Sequence, residues 1–343
     1  MALVKAQRQM GHQATAMFYT VPWVPVAGSV DLNRVLVGTA LNRKVRRVQV
    51  LAHLAAHFDV FHFHYVGSFF RSYADLAVLK ALGKIIVFHL HGCDIRNPGR
   101  VRIEHEVSAC AECPAQCLTP AKIGLPSALR RYVDAVIVST PDLLEFVPEA
   151  QYIPNPVDVT IWDMAPRHRS APQLGQDDWI VVHAPTDRAI KGTRHIEAAV
   201  EALRAEGMSV RLRLLEGLTH EELRQACVDA DIVVDQVLVG WFGLFALEMM
   251  ALGKPVVAYI REDLQVAARD IPLASAGPLS LLSTLRGLTA SAAWRHDLEL
   301  RGPRYVRQHH DPLTVARQIL GVYEQHGSAS KGQPSTPRAS ARA

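Results

Sequence analysis

Short runs of apolar residues alternate with longer amphipathic stretches along most of the chain. Each apolar run is bounded by polar residues or glycine and has the length of one strand. The runs predict strands at 14–19, 59–65, 84–91, 134–139, 151–153, 179–183, 210–215, 231–235 and 255–260. Helical patterns lie between them, for example at 193–206 and 221–228. Strands that alternate with helices in this way are typical of parallel α/β sheets.

A polar break near the middle of the chain divides this pattern in two. Pro154-Asn155-Pro156 and the polar run 165–178 interrupt the alternation. The 343 residues are enough for two domains of ordinary size. We therefore predict the following units: a first domain at 1–155, a second at 156–311, a C-terminal helix at 312–326 and a disordered tail at 327–343, rich in Ser, Gly, Pro, Ala and Arg.

Composition narrows the class of protein. Apolar residues make up 49% of the chain, which supports sizeable cores. No apolar run approaches the ~20 residues of a membrane-spanning helix, and no secretory signal pattern opens the chain. Five cysteines, an odd number, indicate a reducing compartment rather than a disulfide scaffold. We expect a cytoplasmic protein.

The basic charge is concentrated in the first half. The first 155 residues carry 16 Lys and Arg against 11 Asp and Glu, whereas the rest carries 21 against 22. The net charge of +4 is too weak to indicate a nucleic-acid partner. Arg43, Lys44, Arg46 and Arg47 cluster in the basic half. This cluster fits either peripheral contact with the anionic inner face of a membrane or a solvated helix face.

The segment 240–258 carries the most specific motif. Glycines at 240 and 243 precede a predicted helix, Glu248 follows within it, and Gly253-Lys254-Pro255 leads into a strand. Small residues before a helix leave backbone N–H groups at 242–244 available to an anion such as a diphosphate. An acidic side chain on the following turns can accept hydrogen bonds from a ribose diol. The alternative is an ordinary helix–strand unit.

A second cluster follows the first predicted strand of the second domain. Arg188, Lys191, Gly192 and Thr193 stand at the start of a helix. Two cations at such a turn can neutralise a diphosphate leaving group, and Thr193 is a candidate N-cap. The alternative is a solvated loop that carries surface charges.

Together these segments resemble the donor-binding region of retaining GT-B glycosyltransferases, the family-4-like group that includes bacterial surface-polysaccharide enzymes. The resemblance covers most of residues 1–325. It implies an α/β fold of GT-B architecture, with two doubly wound Rossmann-like domains facing a cleft and the helix 312–325 returning to the first domain. It also implies that Lys191 and Arg188 bind the donor diphosphate, that Glu248 binds the ribose and that no metal is required for catalysis.

The chain departs from the family pattern at two places. Arg188 precedes Lys191 by three positions, where the family spacing is about five. Gly240 stands where the family has a glutamate that contacts the donor sugar, so Asp235 and Gln236 become candidates for a replacement contact.

In the first domain, His91, Gly92 and Asp94 follow a predicted strand. This segment resembles the family's cleft segment, which implies that His91 and Asp94 are catalytic residues and that His91 approaches the transferred sugar. The alternative is a histidine satisfied by backbone groups at a strand end. Arg96 is a candidate for the donor phosphates or an anionic acceptor. His62 and His64 lie on one face of a strand by period-two alternation, which fits a metal pair or a strand end at the cleft.

Cys110, Cys113 and Cys117 have a spacing found in metal sites, with Cys93 or His105 as a fourth ligand. This spacing fits either a structural zinc site or thiols that pack a loop. Neither would take part in the reaction.

The start of the chain differs from the resembled family. Residues 1–12 predict a helix that ends at Gly11, whereas the family has a strand and a glycine loop before this helix. A doubly wound sheet without its first strand leaves backbone groups unpaired. We therefore expect that the natural protein starts upstream or that this form is truncated; a variant sheet with one strand fewer is the alternative.

These observations lead to one main functional hypothesis. The chain is expected to be a glycosyltransferase of the EC 2.4 class that moves a sugar with retention from a UDP- or GDP-sugar to a hydroxyl. A glycan or lipid-linked glycan is the expected acceptor, in surface-polysaccharide or glycoconjugate synthesis. A sugar-nucleotide epimerase of the same architecture and a catalytically silent nucleotide-sugar-binding subunit are the alternatives.

Overall fold

The computed structural model describes residues 2–19, 27–70, 72–113, 127–162 and 178–330. Three parallel sheets lie within these ranges, and all the strand pairs are parallel. The strands are β1 (Met17–Phe18), β2 (Val30–Asp31), β3 (Val60–His64), β4 (Ile85–Leu90), β5 (Ala135–Val138), β6 (Gln151–Tyr152), β7 (Trp179–His183), β8 (Val210–Leu214), β9 (Ile232–Val234), β10 (Val256–Ala258) and β11 (Ala274–Ser275).

Helices connect and cover these strands, as parallel pairing requires. In chain order they are α1 (Ala2–Gln9), α2 (Leu32–Val35), α3 (Ala40–His57), α4 (Ala74–Ala81), α5 (Pro98–Glu104), α6 (Ala109–Glu112), α7 (Ser127–Arg130), α8 (Val159–Trp162), α9 (Arg188–Lys191), α10 (Thr193–Ala205), α11 (His220–Cys227), α12 (Leu244–Ala251), α13 (Leu281–Ala290), α14 (Ala292–His309) and α15 (Pro312–Ser330).

The first large sheet has the order β3-β4-β5-β6. Most residues of its central strands β4 and β5 are apolar, as is typical of strands covered on both faces. Phe88 and Leu90 of β4 point into a core with Leu76 and Leu79 of α4. On the opposite face, Val87 packs with residues of α15. The C-terminal helix therefore covers the sheet of the first half.

The predicted strand 14–19 does not join this sheet within the described residues. Only Met17 and Phe18 are extended, and they pair with Val30 and Asp31 in a separate two-stranded sheet. β3 is consequently the edge of the four-stranded sheet. A cavity of about 540 Å³ lies beside the small sheet and is lined by residues that include Val30, Val50 and Leu54.

The second large sheet has the order β11-β10-β9-β7-β8. From β7 the chain goes to β8 on one side and then to β9 on the other. Two apolar cores cover its faces: one packs α12, and the other packs α10 and α13. This reversal places a crevice at the carboxyl ends of β7 and β9, where doubly wound sheets bind ligands.

Strand and helix positions follow the apolar pattern closely, with boundaries that differ by one to three residues for most elements. The short strands β2 and β11 were not predicted, because two-residue strands leave no periodicity to detect. The last helix continues to Ser330, so residues 327–330 are helical rather than part of a tail. The predicted tail from 331 onward, most of the polar run 165–178 and Cys117 lie outside the described residues.

Hydrogen bonds and ion pairs form a bridge between the first and second halves of the chain. The amide of Ala109 donates to the carbonyl of Leu238 at 2.9 Å, and Glu112 at the end of α6 accepts from His195 at 2.6 Å. Arg261 of the second half donates to Glu145 of the first at 2.6 Å. The pattern of apolar positions gave no sign of these links.

Within the described ranges, no helix is both long enough and apolar enough to cross a bilayer.

Candidate active site

Lys191 lies at the crevice between β7 and β9. Its ammonium donates to Asp235 Oδ1 at 2.7 Å and to Gln236 Oε1 at 2.6 Å. The Lys191 side chain is 12% exposed and that of Asp235 is fully buried. Lys191 ends α9 after β7, whereas Asp235 and Gln236 follow β9, so the sheet reversal brings them together. The candidate diphosphate ligand and the two candidate sugar contacts are thus direct neighbours.

Asp235 also meets the start of α12. Its Oδ2 accepts the backbone N–H of Gly243 at 2.6 Å, and Gly243 is the N-cap of α12. One of the three amides at 242–244 that the motif offers to an anion is therefore taken by this carboxylate. Asp235 stands where a helix N-terminus favours negative charge. It binds both the cation and the amide that the sequence assigns to the donor.

Glu248 projects from α12 and is buried, with His220 as its partner. His220 Nε2 lies 2.8 Å from Glu248 Oε1. Burial raises the pKa of Glu248, which His220 partly offsets. The hydrogen bond with Glu248 in turn raises the pKa of His220. Trp162 packs edge-on against the His220 ring, with the ring centres 4.9 Å apart. Sequence reasoning missed His220, whose only local signal is its place after the cap residue Thr219.

Two glycines shape this crevice. Gly192 has φ +77, and a Cβ there would lie 2.5 Å from Val237 Cγ2. Gly240 has φ +86, and a Cβ there would lie 3.2 Å from Arg261 Cβ. A side chain is strained at positive φ. The family's glutamate at 240 therefore does not fit this backbone.

The remaining charged residue of the cluster, Arg188, faces solvent. Its guanidinium pairs with Glu216, and its side chain is 56% exposed. Leu244, which follows Gly243, is also exposed. Phe242 is buried. Arg188 and Lys191 therefore do not form one cationic site in this structure.

The prediction that Thr193 caps α10 is wrong. The N-cap is Gly192, and no side chain caps there. Thr193 is buried, and its hydroxyl lies 2.9 Å from His183 Nε2. His183 Nδ1 lies 2.8 Å from the Val234 carbonyl, so Nδ1–H donates to that oxygen and Nε2 accepts from Thr193. Thr193 thus ties α10 to the ends of β7 and β9.

In the first half, His91 follows β4, and Asp94 shapes its loop. Asp94 accepts the backbone N–H of His91 at 3.1 Å and of Gly92 at 2.6 Å. Burial raises the pKa of Asp94, and these hydrogen bonds oppose the rise. Burial, with a contribution from His62, lowers the pKa of His91 to about 4. Asp94 therefore holds the backbone of the loop that carries His91; its predicted catalytic role stays a prediction.

Arg96 pairs with a buried carboxylate of the first domain. Its guanidinium donates to Asp142 Oδ2 at 2.6 Å and 3.1 Å, and both side chains are largely buried. Arg96 therefore ties the loop after β4 to the segment after β5; its contact with an anionic ligand stays a prediction.

The cysteine cluster is described only in part. Cys110 is buried, Cys113 is half-buried and Cys117 lies outside the described residues. Within those residues, groups of three side chains close enough for one metal ion occur at two other places. Neither includes a cysteine. Structural zinc at these cysteines is not supported.

Comparison with known proteins identifies proteins of similar sequence. No protein-family profile matches the sequence. D-inositol 3-phosphate glycosyltransferase of Salinispora tropica is 30% identical over 240 residues, which is 66% of this chain and 46% of that protein. Its counterpart in Salinispora arenicola is 29% identical over 226 residues, 63% and 45% of the two chains. The chain spans about half the length of the curated relatives it matches.

Solved structures share the fold over nearly the whole chain. Sucrose-phosphate synthase of Thermosynechococcus elongatus superposes with a TM-score of 0.62 at 16% identity, covering 95% of this chain and 92% of that one. HepE of Anabaena, solved in complex with UDP-glucose, gives 0.63 at 15% identity, covering 94% and 95%.

These superpositions, with the two large parallel sheets, define the class. The chain has the GT-B fold, with two Rossmann-like domains. Within that class it is a relative of the retaining, family-4-like glycosyltransferases, and the resemblance predicted from residues 240–258 is confirmed. A specific link to surface-polysaccharide enzymes is not part of that finding.

Proposed function

We propose that this protein transfers a sugar, with retention, from a nucleoside diphosphate sugar to a hydroxyl acceptor. The observation that carries the proposal is the contact of Lys191 with Asp235 beside the N-terminus of α12, at the reversal point of the sheet. A cation and a helix N-terminus that converge at such a crevice suit a diphosphate. The sequence relatives named D-inositol 3-phosphate glycosyltransferase support the same reaction class.

In the proposed mechanism, the leaving diphosphate competes with Asp235 for Lys191 and for the Gly243 amide. Lys191 then stabilises the charge that develops on the leaving group as the glycosidic bond breaks. Lys191 and backbone amides supply this charge stabilisation, so the reaction requires no metal ion. Arg188, at the exposed rim, contributes once it leaves Glu216.

The proposed donor is a UDP- or GDP-sugar. Glu248 accepts hydrogen bonds from the ribose diol, and His220 orients its carboxylate. His91 contacts the transferred sugar from the first domain, on a loop that Asp94 shapes. The UDP-glucose in the HepE structure supports a uridine nucleotide as the first donor to test.

The proposed acceptor is a hydroxyl of a glycan or lipid-linked glycan, reached at an anionic membrane surface. Helix α3 supports this surface, because Leu41 and Val48 are 69% and 56% exposed beside the basic cluster. In that cluster, Arg43 and Arg46 also donate to the carbonyls of Gly38 and Val35. Exposed apolar and basic side chains on one helix suit an interfacial contact.

A catalytically silent nucleotide-sugar-binding subunit is the second candidate. Two observations favour it: Gly240 replaces the sugar-contacting glutamate, and Asp235 occupies both Lys191 and the Gly243 amide. Such a subunit would bind the donor without turning it over. An epimerase would release a rearranged sugar without any acceptor, and no contact among the described residues favours it.

The test combines binding and turnover. Calorimetry with UDP and GDP is followed by turnover of UDP- and GDP-sugars, with and without hydroxyl acceptors and with EDTA present. Because Asp235 is fully buried, removal of Lys191 alone leaves an uncompensated charge. We therefore pair Lys191→Met with Asp235→Asn, test Glu248→Gln separately and use Lys80→Ala, a surface ion-pair residue of the first domain, as control.

The expected result is acceptor-dependent turnover that survives EDTA. The paired variant and Glu248→Gln should each lose about tenfold or more in nucleotide affinity, about 1.4 kcal/mol, while Lys80→Ala binds like the parent. Donor binding without turnover would favour the silent subunit, and sugar rearrangement without an acceptor would favour the epimerase. Equal affinity in all variants would contradict the assigned site.

Vesicle co-sedimentation tests the membrane proposal. Anionic vesicles should retain the protein better than zwitterionic vesicles. Replacing Leu41 and Val48 of α3 with Ser should reduce retention, whereas Leu300→Ser, an exposed apolar residue of α14, should not. Equal retention by both vesicle types would contradict it.

A further inference from the structure

Four histidines lie together at the edge of the first large sheet: His62, His64, His89 and His91. His62 and His64 lie two positions apart on β3 and therefore on the same face. β3 pairs with β4 in a register that places His64 opposite His89. The rings of His62, His64 and His89 are within 5.4 Å of one another, centre to centre. The first two were open candidates from the sequence, whereas the pairing of β3 with β4 adds His89.

Several ring nitrogens of this cluster have no hydrogen-bond partner among the described residues. His89 is 2% exposed, and neither of its ring nitrogens is bonded. The Nε2 atom of His62 is likewise buried and unbonded. Buried polar atoms normally have partners, and an exception requires an explanation such as an absent ion. The cluster is therefore built around something that these residues do not themselves supply.

The geometry suits a metal ion. His62, His64 and His89 each offer one ring nitrogen, and the three atoms lie within 4.8 Å of one another. Zn–N distances are about 2.1 Å, so the three side chains have to move inward to bind one ion. His62 Nδ1 lies 2.5 Å from the hydroxyl of Tyr323. That contact orients the ring and leaves Nε2 for a ligand, as partners of metal-binding histidines do.

We propose that His62, His64 and His89 bind one divalent first-row metal ion of the zinc class. Imidazole is a preferred ligand of Zn²⁺, Co²⁺ and Ni²⁺. Three protein ligands leave one position open, for water or for His91, whose Nε2 lies 2.8 Å from His64 Nδ1. His64 is exposed, so an ion can enter from solvent. The site lies in the first domain beside His91, the proposed sugar contact, and the proposed reaction does not require the ion.

The other group with suitable spacing is less suited to a metal. Glu104, His105 and Glu145 also lie close together. However, the Arg261 guanidinium donates to Glu145 and approaches His105 at 2.8 Å, so a cation already occupies that position.

Metal titration of the full chain tests the proposal. The protein is purified without a polyhistidine tag, stripped with a chelator and titrated with Zn²⁺ by calorimetry and with Co²⁺ by visible absorption. We expect one ion per chain, Co²⁺ ligand-field bands of a four-coordinate site and a higher melting temperature with metal. No binding, or bands of a hexa-aqua ion only, would overturn the proposal.

Variants locate the ion. His64→Ala, at an exposed position that should not disturb folding, and His89→Ala should each weaken Co²⁺ binding about tenfold or more. His296→Ala, on the exposed surface of α14, is the matched control and should bind like the parent. Circular dichroism checks that each variant is folded. If His89→Ala is unfolded, His64→Ala alone decides whether these histidines bind the ion. Parent-like affinity in His64→Ala would overturn the site.

Discussion

At the scale of single residues, the lack of a side chain at Gly192 allows the loop after β7 to pack closely against the segment after β9. Gly192 separates α9 from α10 with φ +77 and touches the segment after β9. The Lys191 carbonyl accepts the amide of Val237 at 3.1 Å across the same contact. This close approach brings Lys191 within reach of Asp235. The glycine that follows the candidate diphosphate ligand is therefore required by packing as well as by backbone conformation.

A comparison of two glycines tests this explanation. Gly192→Ala should lower the free energy of unfolding by about 2–4 kcal/mol, because positive-φ strain and a steric clash add. Gly207→Ala has a similar φ of +88 but nothing within 4 Å of the new Cβ. It should cost about 1 kcal/mol from strain alone. Urea denaturation measures both, and equal losses would mean that the contact with Val237 is unimportant.

A pH dependence should arise from His220. Its pKa is raised chiefly by Glu248, with a further rise from Glu221 and an opposing effect of Arg224. A histidine with a raised pKa in the folded state stabilises the protein fully below its unfolded pKa of about 6.5. That contribution is lost as the pH rises through the folded pKa.

The loss of unfolding free energy caused by His220→Gln should therefore be larger at about pH 6 than at about pH 8.5. Thermal or urea unfolding of parent and variant at both pH values measures this difference. In a Glu248→Gln background the same substitution should cost nearly equal amounts at the two pH values. If the difference persists there, Glu248 is not the cause of the shift.

At the scale of elements, the start of α11 determines where His220 stands. Thr219 caps the helix: its hydroxyl oxygen accepts the Glu222 amide, and Glu222 accepts the Thr219 amide at 2.8 Å. This reciprocal pair satisfies two amides that the first turn leaves unpaired. His220 is the first helical residue, so the cap holds it beside Glu248.

Removal of this cap should affect both stability and the donor site. Thr219→Ala should cost about 1 kcal/mol of unfolding free energy. It should also weaken nucleotide binding, because the first turn frays and Glu248 loses its oriented partner. Ser283→Ala, in the exposed part of α13, is the control and should stay within about 0.5 kcal/mol of the parent. Parent-like stability of Thr219→Ala would show that the cap does not hold α11.

At the scale of the whole molecule, ion pairs and backbone contacts connect the two sheets on the bridge side. Arg261 and Glu145 are each about one-eighth exposed and meet at 2.6 Å. His105 lies 3.0 Å from Glu145, so three side chains from distant parts of the chain converge. On the other side α15 packs on the sheet of the first half. The two domains are thus connected at two places. The crevice lies in the second domain, at the ends of β7 and β9.

A double-mutant cycle measures the coupling between the domains. The variants Arg261→Met and Glu145→Gln, alone and together, should give an interaction energy of about 1–3 kcal/mol, because the pair is largely desolvated. The exposed pair Arg286 and Glu206 lies within the second half and should give less than about 1 kcal/mol. Similar values for the two pairs would show that the bridge adds no special coupling.

Much of the fold could be predicted because it is encoded locally. Apolar runs such as 85–90 and 232–234 must be covered on both faces, which predicts buried parallel strands. The prediction of a GT-B fold and the relationship to glycosyltransferases are confirmed. The site residues, the domain limits and the acceptor remain predictions. The assignment of Thr193 as a cap was wrong because a buried hydroxyl partner, His183, took precedence over the helix end.

What the sequence determined by itself was the class of protein, through apolar periodicity and the local motifs around Lys191 and Glu248. Only the tertiary structure decided which groups meet. Asp235 binds Lys191 from 44 positions away, His220 reaches Glu248 across 28, and β4 places His89 beside His64. Periodicity reports which face of an element is buried, but not which element lies against it. Side-chain pairing across elements depends on strand order and helix placement, which arise only when the whole chain packs.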